Sequence, residues 1–492
     1  MKKALALTLD MGTSSVRAMI FDARGRALPV EAQIAYAQTM TADGGVQTDA
    51  ETLLALTVAC LKQLLRKASK ETRGRLAGVG ISCFWHSLVG VGADDRAVTP
   101  LFSWADTRAL GQAEKLKTEM DEAAYHARTG CVLHPSYWPA KLRRLQETDP
   151  KTFGKVRRWM SFGEYAQLRL FGSASCSLSM ASGTGLLDPN TKAWDPETLS
   201  TLAITTDQLN ALAEPNQPVS GLTAEWARGL GPLQSLPWFP ASGDGACSNV
   251  GSGATEADRI AINVGTSGAL RVAVKADHLD IPADLFCYRV DDSRFLVGGA
   301  FASGGNVYGW NQKTLQLGDK EAAKRLVGPV VPDGHGLTVL PFWAGERSPG
   351  WHAAARATIT GMNLHTTAAD ILRASLEAVA YQYADIYDVV IKDYPSAQEI
   401  VVSGGAVVHD PTWAQIMADS FGVPLTTSRV AEASSRGAAL FALSALGHIS
   451  DLGAVPAFLG KKFTPDPARH EVYVKARARQ AALYAEMLGK TS

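Results

Sequence analysis

The chain of 492 residues is long enough for two to four domains, and its composition, 46% hydrophobic and 20% charged, is that of a globular protein. Its 48 basic and 48 acidic residues balance to zero net charge, which argues against a nucleic-acid or membrane-surface binder. No apolar run approaches the ~18 residues of a membrane span, and six scattered cysteines without a CxxC pair favour a reducing cytoplasm over a disulfide framework or zinc site.

Strands and helices are predicted to alternate along the chain. Apolar runs at 4–9 and 16–21 flank the segment DMGTSS and predict a strand, a tight turn and a second strand. Apolar spacing predicts a helix over 52–65, followed by a strand over 78–82. In the second half, a strand at 400–402 is expected between helices over 368–390 and 411–421. This alternation predicts an α/β fold.

A short repeat divides the sequence into two halves. The segment LDMGTSSVR at 9–17 has a near-copy, INVGTSGALR, at 262–271, about half a chain away. In both copies Gly-Thr-Ser stands between two strand-like runs, which favours two related α/β halves over a chance match of two turns. We place the boundary in the small, polar segment 251–257, so that the predicted domains are residues 1–253 and 254–492.

The two Gly-Thr-Ser turns are candidate phosphate-binding loops. Glycine lets the backbone approach an anion closely, and the N–H groups and hydroxyls of such a turn are donors to it. Arg17 follows the first turn as a cation, and Asp10 precedes it, where a carboxylate could hold Mg²⁺ through water. The second copy has Asn263 in place of that carboxylate. Two loops and one carboxylate suit a nucleoside triphosphate in a cleft between the halves.

Several competing catalytic motifs are missing from the sequence. It contains no GxxxxGK[ST], no GxGxxG, no GxSxG and no HExxH. These absences argue against a Walker-type ATPase, a dinucleotide-binding enzyme, a protein kinase, a serine hydrolase and a zinc protease.

The sequence resembles the FGGY family of carbohydrate kinases over nearly its whole length. DMGTSSVR and NVGTSG resemble the two phosphate loops of that family, and SGGAVVHDPTWAQIMAD at 403–419 resembles its C-terminal nucleotide motif. GERSPGW at 345–351 and RASLEAVAY at 373–381 are also typical of it. The motifs occur in family order. The resemblance implies two actin/ribonuclease-H-like domains with a catalytic cleft between them.

The resemblance also implies that ATP and Mg²⁺ are the cofactors. Asp10 is expected to hold the metal ion. The residues expected to bind ATP are Gly12, Thr13, Ser14, Ser15, Arg17, Gly265, Thr266, Ser267, Gly404, Gly405, Ala406 and Glu432.

Asp244 is the expected catalytic base. Phosphorylation of an alcohol needs a group that accepts or orients the hydroxyl proton. Asp244 lies in the glycine-rich segment SGDGACSNVGSG, where an Asp-Gly pair by itself predicts only a turn. The acid of this segment, shortly before the second phosphate loop, resembles the base of the family.

Candidate sugar contacts lie in three segments. Trp85 and His86 directly follow the strand predicted at 78–82, and ligands bind at the carboxyl ends of such strands. An indole face packs on sugar C–H groups and an imidazole bonds hydroxyls, although a lone histidine is more often structural. Xylulokinase-like members carry Met-His at this place and glycerol kinases Arg-Glu, which disfavours glycerol. The other candidates are Trp104, Asp106, His134 and Tyr137.

The last four candidates come from two further segments. WADTR at 104–108 resembles the region after the sugar loop in gluconate and pentulose kinases, and its alternative is a salt-bridged surface turn. The segment 128–145, RTGCVLHPSYWPAKLRRL, is similar to gluconokinase-type members in its TG, HP, proline and lysine. The aromatic SYW triplet within it departs from that pattern.

The leading hypothesis is therefore an ATP-dependent kinase of a small sugar or sugar acid. Gluconate is the first expected substrate, and a pentulose, xylulose or ribulose, is the second. The competing hypothesis is a non-catalytic actin-like ATP-binding protein or a sugar sensor. We expect no nucleic-acid or membrane partner. The sequence is compatible with a homodimer.

Overall fold

The computed structural model describes residues 4–214, 216–328 and 331–489. The ends of the two predicted domains, residues 1–3 and 490–492, lie outside the described residues. None of the helices in the described ranges is long and apolar enough to cross a bilayer.

The first half contains 3₁₀ turns at Thr206–Gln208 and Gly231–Leu233 besides its strands and helices. Its strands are β1 (Leu5–Met11), β2 (Ser15–Asp22), β3 (Ala27–Ala35), β4 (Thr39–Met40), β5 (Val46–Thr48), β6 (Leu76–Cys83), β7 (Val89–Val91), β8 (Leu101–Phe102), β9 (Arg158–Met160), β10 (Cys176–Ser177), β11 (Leu187–Asp188), β12 (Ala193–Trp194), β13 (Leu212–Ala213) and β14 (Ser242–Gly243). Its helices are α1 (Ala50–Lys67), α2 (Lys70–Arg73), α3 (Leu110–Glu119), α4 (Glu122–Thr129), α5 (Trp138–Thr148), α6 (Pro150–Phe153), α7 (Phe162–Phe171), α8 (Leu178–Ser182), α9 (Pro196–Thr201), α10 (Ala224–Leu230) and α11 (Asp244–Gly251).

The second half has longer helices. Its strands are β15 (Arg259–Val264), β16 (Gly268–Lys275), β17 (Phe286–Arg289), β18 (Arg294–Phe301), β19 (Thr338–Leu340), β20 (Thr358–Thr360), β21 (Glu399–Ser403), β22 (Leu425–Ser428) and β23 (Leu459–Phe463). Its helices are α12 (Gly305–Thr314), α13 (Lys320–Val327), α14 (Ala368–Asp393), α15 (Gly405–Val408), α16 (Pro411–Phe421), α17 (Ala433–Ala445) and α18 (Pro467–Leu488).

The main sheets of the two halves share one topology over five strands, and the second sheet adds β17 and β23 at its edges. The first sheet has the strand order β14-β6-β1-β2-β3 and the second the order β17-β18-β16-β15-β21-β22-β23. In the first, the antiparallel hairpin β1–β2 continues antiparallel to β3 and parallel to β6 and β14. In the second, the hairpin β15–β16 continues antiparallel to β18 and parallel to β21 and β22. The predicted fold class, with two related α/β halves, is confirmed.

Capped amphipathic helices cover these sheets. Helix α1 begins at Asp49, whose side chain accepts a hydrogen bond from the Thr52 N–H, and its buried face contacts β2 and β3. Helix α14 begins at a reciprocal capping box between Thr367 and Asp370. Its buried side chains pack in the core of the second sheet. Apolar residues at helical spacing therefore bury one side of α1, as predicted from the sequence, whereas α14 is buried all round over residues 372–384.

Helix α17 of the second half completes the core of the first half. Its buried side chains Leu440 and Leu443 belong to the same hydrophobic cluster as Leu7 of β1. Glycines permit the contact, because a Cβ atom at Gly80 would lie 2.1 Å from the carbonyl oxygen of Ala438. The division into domains at residue 253 stays a prediction, and this packing adds that α17 of the second half lies against the sheet of the first.

Candidate active site

A cleft between the two halves gathers many of the predicted site residues. It is a cavity of about 160 Å³ at the ends of the central strands of both sheets. The first half contributes Thr13, Trp85, His86, Trp104 and Asp244 to its lining. The second half contributes Asn263, Ser267, Gly268, Arg271, Phe286, Tyr288, Ala300 and Arg347. Candidate sugar contacts, the expected base and both candidate phosphate loops thus meet in one place.

The two Gly-Thr-Ser segments form similarly placed turns at this cleft, the first of four residues and the second of three. Each connects the two strands of a central hairpin, β1–β2 in the first half and β15–β16 in the second. The N–H of Gly12 donates to the carbonyl of Ser15 at 3.0 Å, and the N–H of Gly265 donates to the carbonyl of Ser267 at 2.9 Å. Both turns therefore present their hydroxyl residues beside the cleft.

Glycines at the starts of helices α12 and α15 lie against the second turn. The N–H of Gly305, at the start of α12, donates to the carbonyl of Gly265 at 2.7 Å. Gly404 has a φ of +93°, and a Cβ atom there would lie 2.3 Å from the carbonyl oxygen of Val264. Only glycine tolerates this conformation and close approach without strain. The predicted nucleotide residues 404–406 are thus placed against the second turn, together with α12, which the sequence analysis did not single out.

Asp10 lies at the end of β1, next to the first turn. Burial raises the pKa of its carboxyl to about 6, against the opposing effects of the nearby Ser82 hydroxyl and of Arg17, whose Nη1 lies 3.9 Å from Oδ2. Asn263 occupies the equivalent position in β15, and its amide donates to the Ser403 hydroxyl at 3.2 Å. The Asp-for-Asn difference between the copies is therefore the main electrostatic asymmetry of the two turns.

Asp244 is the first residue of α11, directly after β14. Burial raises the pKa of its carboxyl, while Arg271 and the Gly245 N–H, which donates to Oδ1 at 2.9 Å, act in the opposite direction. The charge of Asp244 also contributes to the raised pKa of Asp10. Two neighbouring carboxyls with raised pKa values suit a divalent cation between or beside them, so the residues present fit Mg²⁺.

Trp85 is held by small residues on three sides. Its Nε1–H donates to the carbonyl of Ser179 at 2.8 Å. A Cβ atom at Gly243 would lie 1.8 Å from the indole Cε2, and one at Gly183 would lie 2.5 Å from Cδ1. Any residue larger than glycine at position 183 or 243 would therefore clash with the indole.

His86 is fixed in a strained conformation at the end of the β6 segment. Its φ is +64°, which is unusual for a residue other than glycine. Its Nδ1 bonds the carbonyl of Gly183, and Lys141 donates from Nζ to the His86 carbonyl at 2.9 Å. Burial, aided by Arg347, holds the pKa of the imidazole well below its usual range. The ring is therefore neutral, with Nδ1–H donating to the carbonyl and Nε2 left as an acceptor.

Two arginines in the cleft escaped the sequence analysis. Arg271 of β16 lies against Gly245, where a Cβ atom would come within 2.9 Å of its Cζ. Arg347 lies beside the rings of Trp104 and Trp351, with Cζ 5.5 Å from each centroid. The Nε of each arginine is buried without a hydrogen-bond partner among the described residues, and no salt bridge within 4.0 Å joins either guanidinium to a described carboxylate. The repeat gave only a weak signal for Arg271, because both copies end in arginine but the two arginines are one position apart when Gly-Thr-Ser is aligned.

Three predicted sugar contacts do not line the cleft but lie behind the residues that do. They are Asp106, His134 and Tyr137. Asp106 is buried and bonded to Arg108 and to the Val46 N–H, so it is an internal ion pair rather than a surface turn. The ring of His134 packs 5.3 Å from that of Trp351, and the Tyr137 hydroxyl lies 2.5 Å from that of Tyr288. Their predicted role in substrate binding stays a prediction.

Arg17 and Glu432, both predicted to bind ATP, contact each other. The Arg17 guanidinium bonds the Glu432 carboxylate across the two halves. Glu432 precedes the first turn of α17, the helix that packs into the first core. The residues therefore lie together on the first-half side, and their predicted role in ATP binding stays a prediction.

Comparisons with known proteins agree over most of the chain. The model of the N-terminal domain of the FGGY family of carbohydrate kinases matches residues 5–251, and that of the C-terminal domain matches residues 260–446. A gluconokinase of Bacillus subtilis (strain 168) is 27% identical over 472 residues, covering 94% of this chain and 91% of that protein. The structure of a ligand-bound xylulose kinase from Lactobacillus acidophilus has a TM-score of 0.91 at 28% identity, covering 98% of each chain. A gluconate kinase from the same organism has a TM-score of 0.90 at 28% identity, covering 99% of this chain and 98% of that one.

Proposed function

Because the chain belongs to the FGGY family of carbohydrate kinases, we propose that it transfers the γ-phosphoryl group of ATP to a hydroxyl of a gluconate-like sugar acid. The enzyme class, a phosphotransferase acting on a carbohydrate, follows from the family. Gluconokinases are among its relatives, and so are xylulose kinases. The choice between them rests on the chemistry of the cleft.

The pair Arg271 and Arg347 is the observation that carries the choice of a sugar acid. Both line the cleft, and no carboxylate of the described residues lies within salt-bridge distance of either, although the charge of Asp244 attracts Arg271 at longer range. A buried guanidinium needs an anion or several acceptors to offset its desolvation. A sugar carboxylate supplies two oxygens that match the guanidinium fork, whereas a pentulose offers only hydroxyls and a carbonyl. One arginine facing the transferred phosphoryl group and the other facing the carboxylate would satisfy both.

In the proposed reaction Asp244 accepts the proton of the attacking hydroxyl. Its raised pKa, caused by burial, brings it closer to neutral pH, where a general base is more effective. His86 accepts a hydrogen bond from a second hydroxyl through its free Nε2, and the Trp85 ring packs against sugar C–H groups. Catalysis by these residues is mainly positioning, as expected for phosphoryl transfer.

The nucleotide is proposed to bind between the two Gly-Thr-Ser turns. Thr13 and Ser267 line the cleft from opposite halves and would donate to phosphate oxygens. Asp10 would hold Mg²⁺ through water, and the ion, when bound, neutralises charge on the phosphates. The glycines at 404–405 would let the nucleotide lie close to the backbone. We place the reaction in the cytoplasm, where the six buried free cysteines would stay reduced.

A pentulose such as xylulose or ribulose is the second candidate substrate. It is favoured by the high similarity to the xylulose kinase structure from Lactobacillus acidophilus and by the aromatic SYW triplet, whose Tyr137 lies beside His86. An extra ring near the sugar loop would shorten the pocket toward a five-carbon substrate.

The test is a coupled assay of ADP release with Mg²⁺-ATP and gluconate, xylulose, ribulose or glycerol. We expect kcat/KM to be at least about tenfold higher for gluconate than for the others, because one charged hydrogen bond contributes about 1.5–3 kcal/mol. Preference for a pentulose would replace the sugar-acid proposal with the second candidate. No sugar-dependent ADP release would favour the sugar-sensor alternative.

A further inference from the structure

A second cavity lies in the second half of the chain, outside the catalytic cleft. Its volume is about 560 Å³, within the usual range for small-molecule sites. Its walls come from the segment 340–349 and from helices α14 and α18. None of its lining residues lines the catalytic cleft.

The cavity combines apolar walls with acidic groups. Phe342, Val389 and Ala485 are among the apolar residues that line it. The carboxylates are those of Asp284, Glu346 and Asp385, and among the described residues that form the lining there is no lysine, arginine or histidine. Asp385 is already bonded to Arg477 of α18, at 2.7 Å. The remaining negative charge favours a cationic ligand, and the apolar walls favour one that carries a hydrocarbon part.

Two buried acceptors in the wall lack donors. Glu346 is 2% exposed and Gln382 is 8% exposed. The Glu346 Oε2 accepts from the Tyr484 hydroxyl at 2.8 Å, but Oε1 has no partner among the described residues. The Gln382 Oε1 also has none within that part of the chain. Leaving buried acceptors without partners is unfavourable, and a donor brought by a ligand would remove this penalty.

Consecutive residues of one chain segment line the second cavity and the catalytic cleft. Glu346 lines the former, and the next residue, Arg347, lines the latter. The following residue, Ser348, is fixed to Ala300 of the cleft lining by two hydrogen bonds, both 2.9 Å long. A ligand that contacts Glu346 is therefore one residue away from a side chain of the sugar pocket.

We propose that this cavity binds an organic ammonium compound. Its charged nitrogen donates to the Glu346 carboxylate and to the Gln382 amide oxygen, and its hydrocarbon part packs between α14 and α18. A bare metal ion fits less well, because it needs about six oxygen ligands and the walls are largely apolar. An anion is disfavoured by the carboxylates of Asp284 and Glu346, which have no basic residue beside them in the lining.

The test measures binding of phenethylammonium chloride to the full chain by isothermal titration calorimetry, without nucleotide or sugar. The neutral 2-phenylethanol is the comparison ligand. Burial raises the pKa of Glu346 to about 7, so the titration is made at about pH 8.5, where this carboxyl is ionised and an alkylammonium group, like that of lysine, stays protonated. We expect the amine to bind at least about tenfold more tightly than the alcohol. Equal affinities, or no binding of the amine, would overturn the proposal.

Two matched variants on α18 locate the site. Ala481 and Ala482 are both exposed, but only Ala481 lines the cavity. Ala481→Trp should abolish binding of phenethylammonium by filling the entrance, and Ala482→Trp should leave it within about twofold of the wild type. Glu346→Gln, which keeps the shape, should weaken it by at least about tenfold. Undiminished binding to Ala481→Trp would overturn the proposal, and the result is independent of which sugar the enzyme phosphorylates.

Discussion

The hydroxyls of Tyr137 and Tyr288 lie 2.5 Å apart and join the first half of the chain to the second beside the sugar pocket. Their rings also contact His86, at centroid distances of 4.9 and 5.8 Å. These contacts would have to break for the two halves to separate. We therefore interpret this arrangement as the closed one, and expect the cleft to open for exchange of ligands.

Closure should be visible in the size of the protein in solution. With the halves hinged near residues 251–257, the ligand-free protein should populate an open cleft, because neither half alone assembles the site. Small-angle scattering should give a smaller radius of gyration with gluconate and a non-hydrolysable ATP analogue than without them. An unchanged radius, with both ligands shown by calorimetry to be bound, would mean that the cleft is preformed.

Asp244→Asn should nearly abolish turnover and leave nucleotide binding largely intact. The change is isosteric and removes only the charge and proton affinity of the carboxylate. General-base steps contribute about 10²–10⁴-fold, so kcat should fall by that factor. The affinity for an ATP analogue, measured by calorimetry, is the control. A variant with the kcat of the wild type would place the base elsewhere.

Asp10→Asn should weaken magnesium-dependent activity more than sugar binding. The carboxylate stands in the first turn and an amide, Asn263, stands in the second, so the substitution makes the two turns alike. We expect the Mg²⁺ concentration for half-maximal activity to rise by at least about tenfold. The control is the affinity of the variant for the sugar, measured in the absence of nucleotide. Equal loss of that affinity would argue against a metal role.

The same substitution should stabilise the ligand-free protein at neutral pH. Burial raises the pKa of Asp10 to about 6, above its value in the unfolded chain. The folded state then binds the proton more tightly than the unfolded chain does. The ionised carboxylate therefore lowers the free energy of unfolding above about pH 6, and this loss disappears as the pH falls toward 4. Asp10→Asn should gain about 1–3 kcal/mol at pH 8 and nothing at pH 4, measured by denaturant unfolding. A gain that does not depend on pH would contradict this explanation.

Arg347→Gln should lower activity on gluconate selectively. Losing a charged hydrogen bond to a carboxylate should cost about 1.5–3 kcal/mol, or about 10- to 100-fold in kcat/KM. The kcat/KM for xylulose, which has no carboxylate, should change by less than about threefold. Arg325→Gln, on the exposed side of α13, controls for loss of a positive charge. Equal losses for both sugars would show that Arg347 does not recognise the carboxylate.

Local patterns were sufficient to predict the fold and the first-half loops. Helix α16 has the predicted bounds, Pro411–Phe421, because Asp410 caps it, Pro411 suits its first turn and Gly422 ends it. The short repeat at the two hairpins predicted the two similar sheets. Trp85 and His86 could be placed in the cleft because residues after a central strand lie at the sheet edge.

Contacts between the halves could not be predicted in the same way. Whether Arg347 faces the cleft depends on the path of the segment 345–351 against β18, and no local pattern encodes that path. Asp106 illustrates the same limit, since its pairing with Arg108 is local but its burial is decided by the surrounding β5 and β8 segments. The packing of α17 against the first sheet likewise depends on glycines far apart in sequence.

Identification of the product tests the central claim most directly. The protein is incubated with Mg²⁺-ATP and gluconate, and the products are followed by ³¹P nuclear magnetic resonance and mass spectrometry. We predict that a phosphate ester of gluconate forms in a one-to-one ratio with ADP and that inorganic phosphate stays near background. Release of ADP with an equal amount of inorganic phosphate, or no consumption of ATP, would contradict the assignment as a sugar-acid kinase.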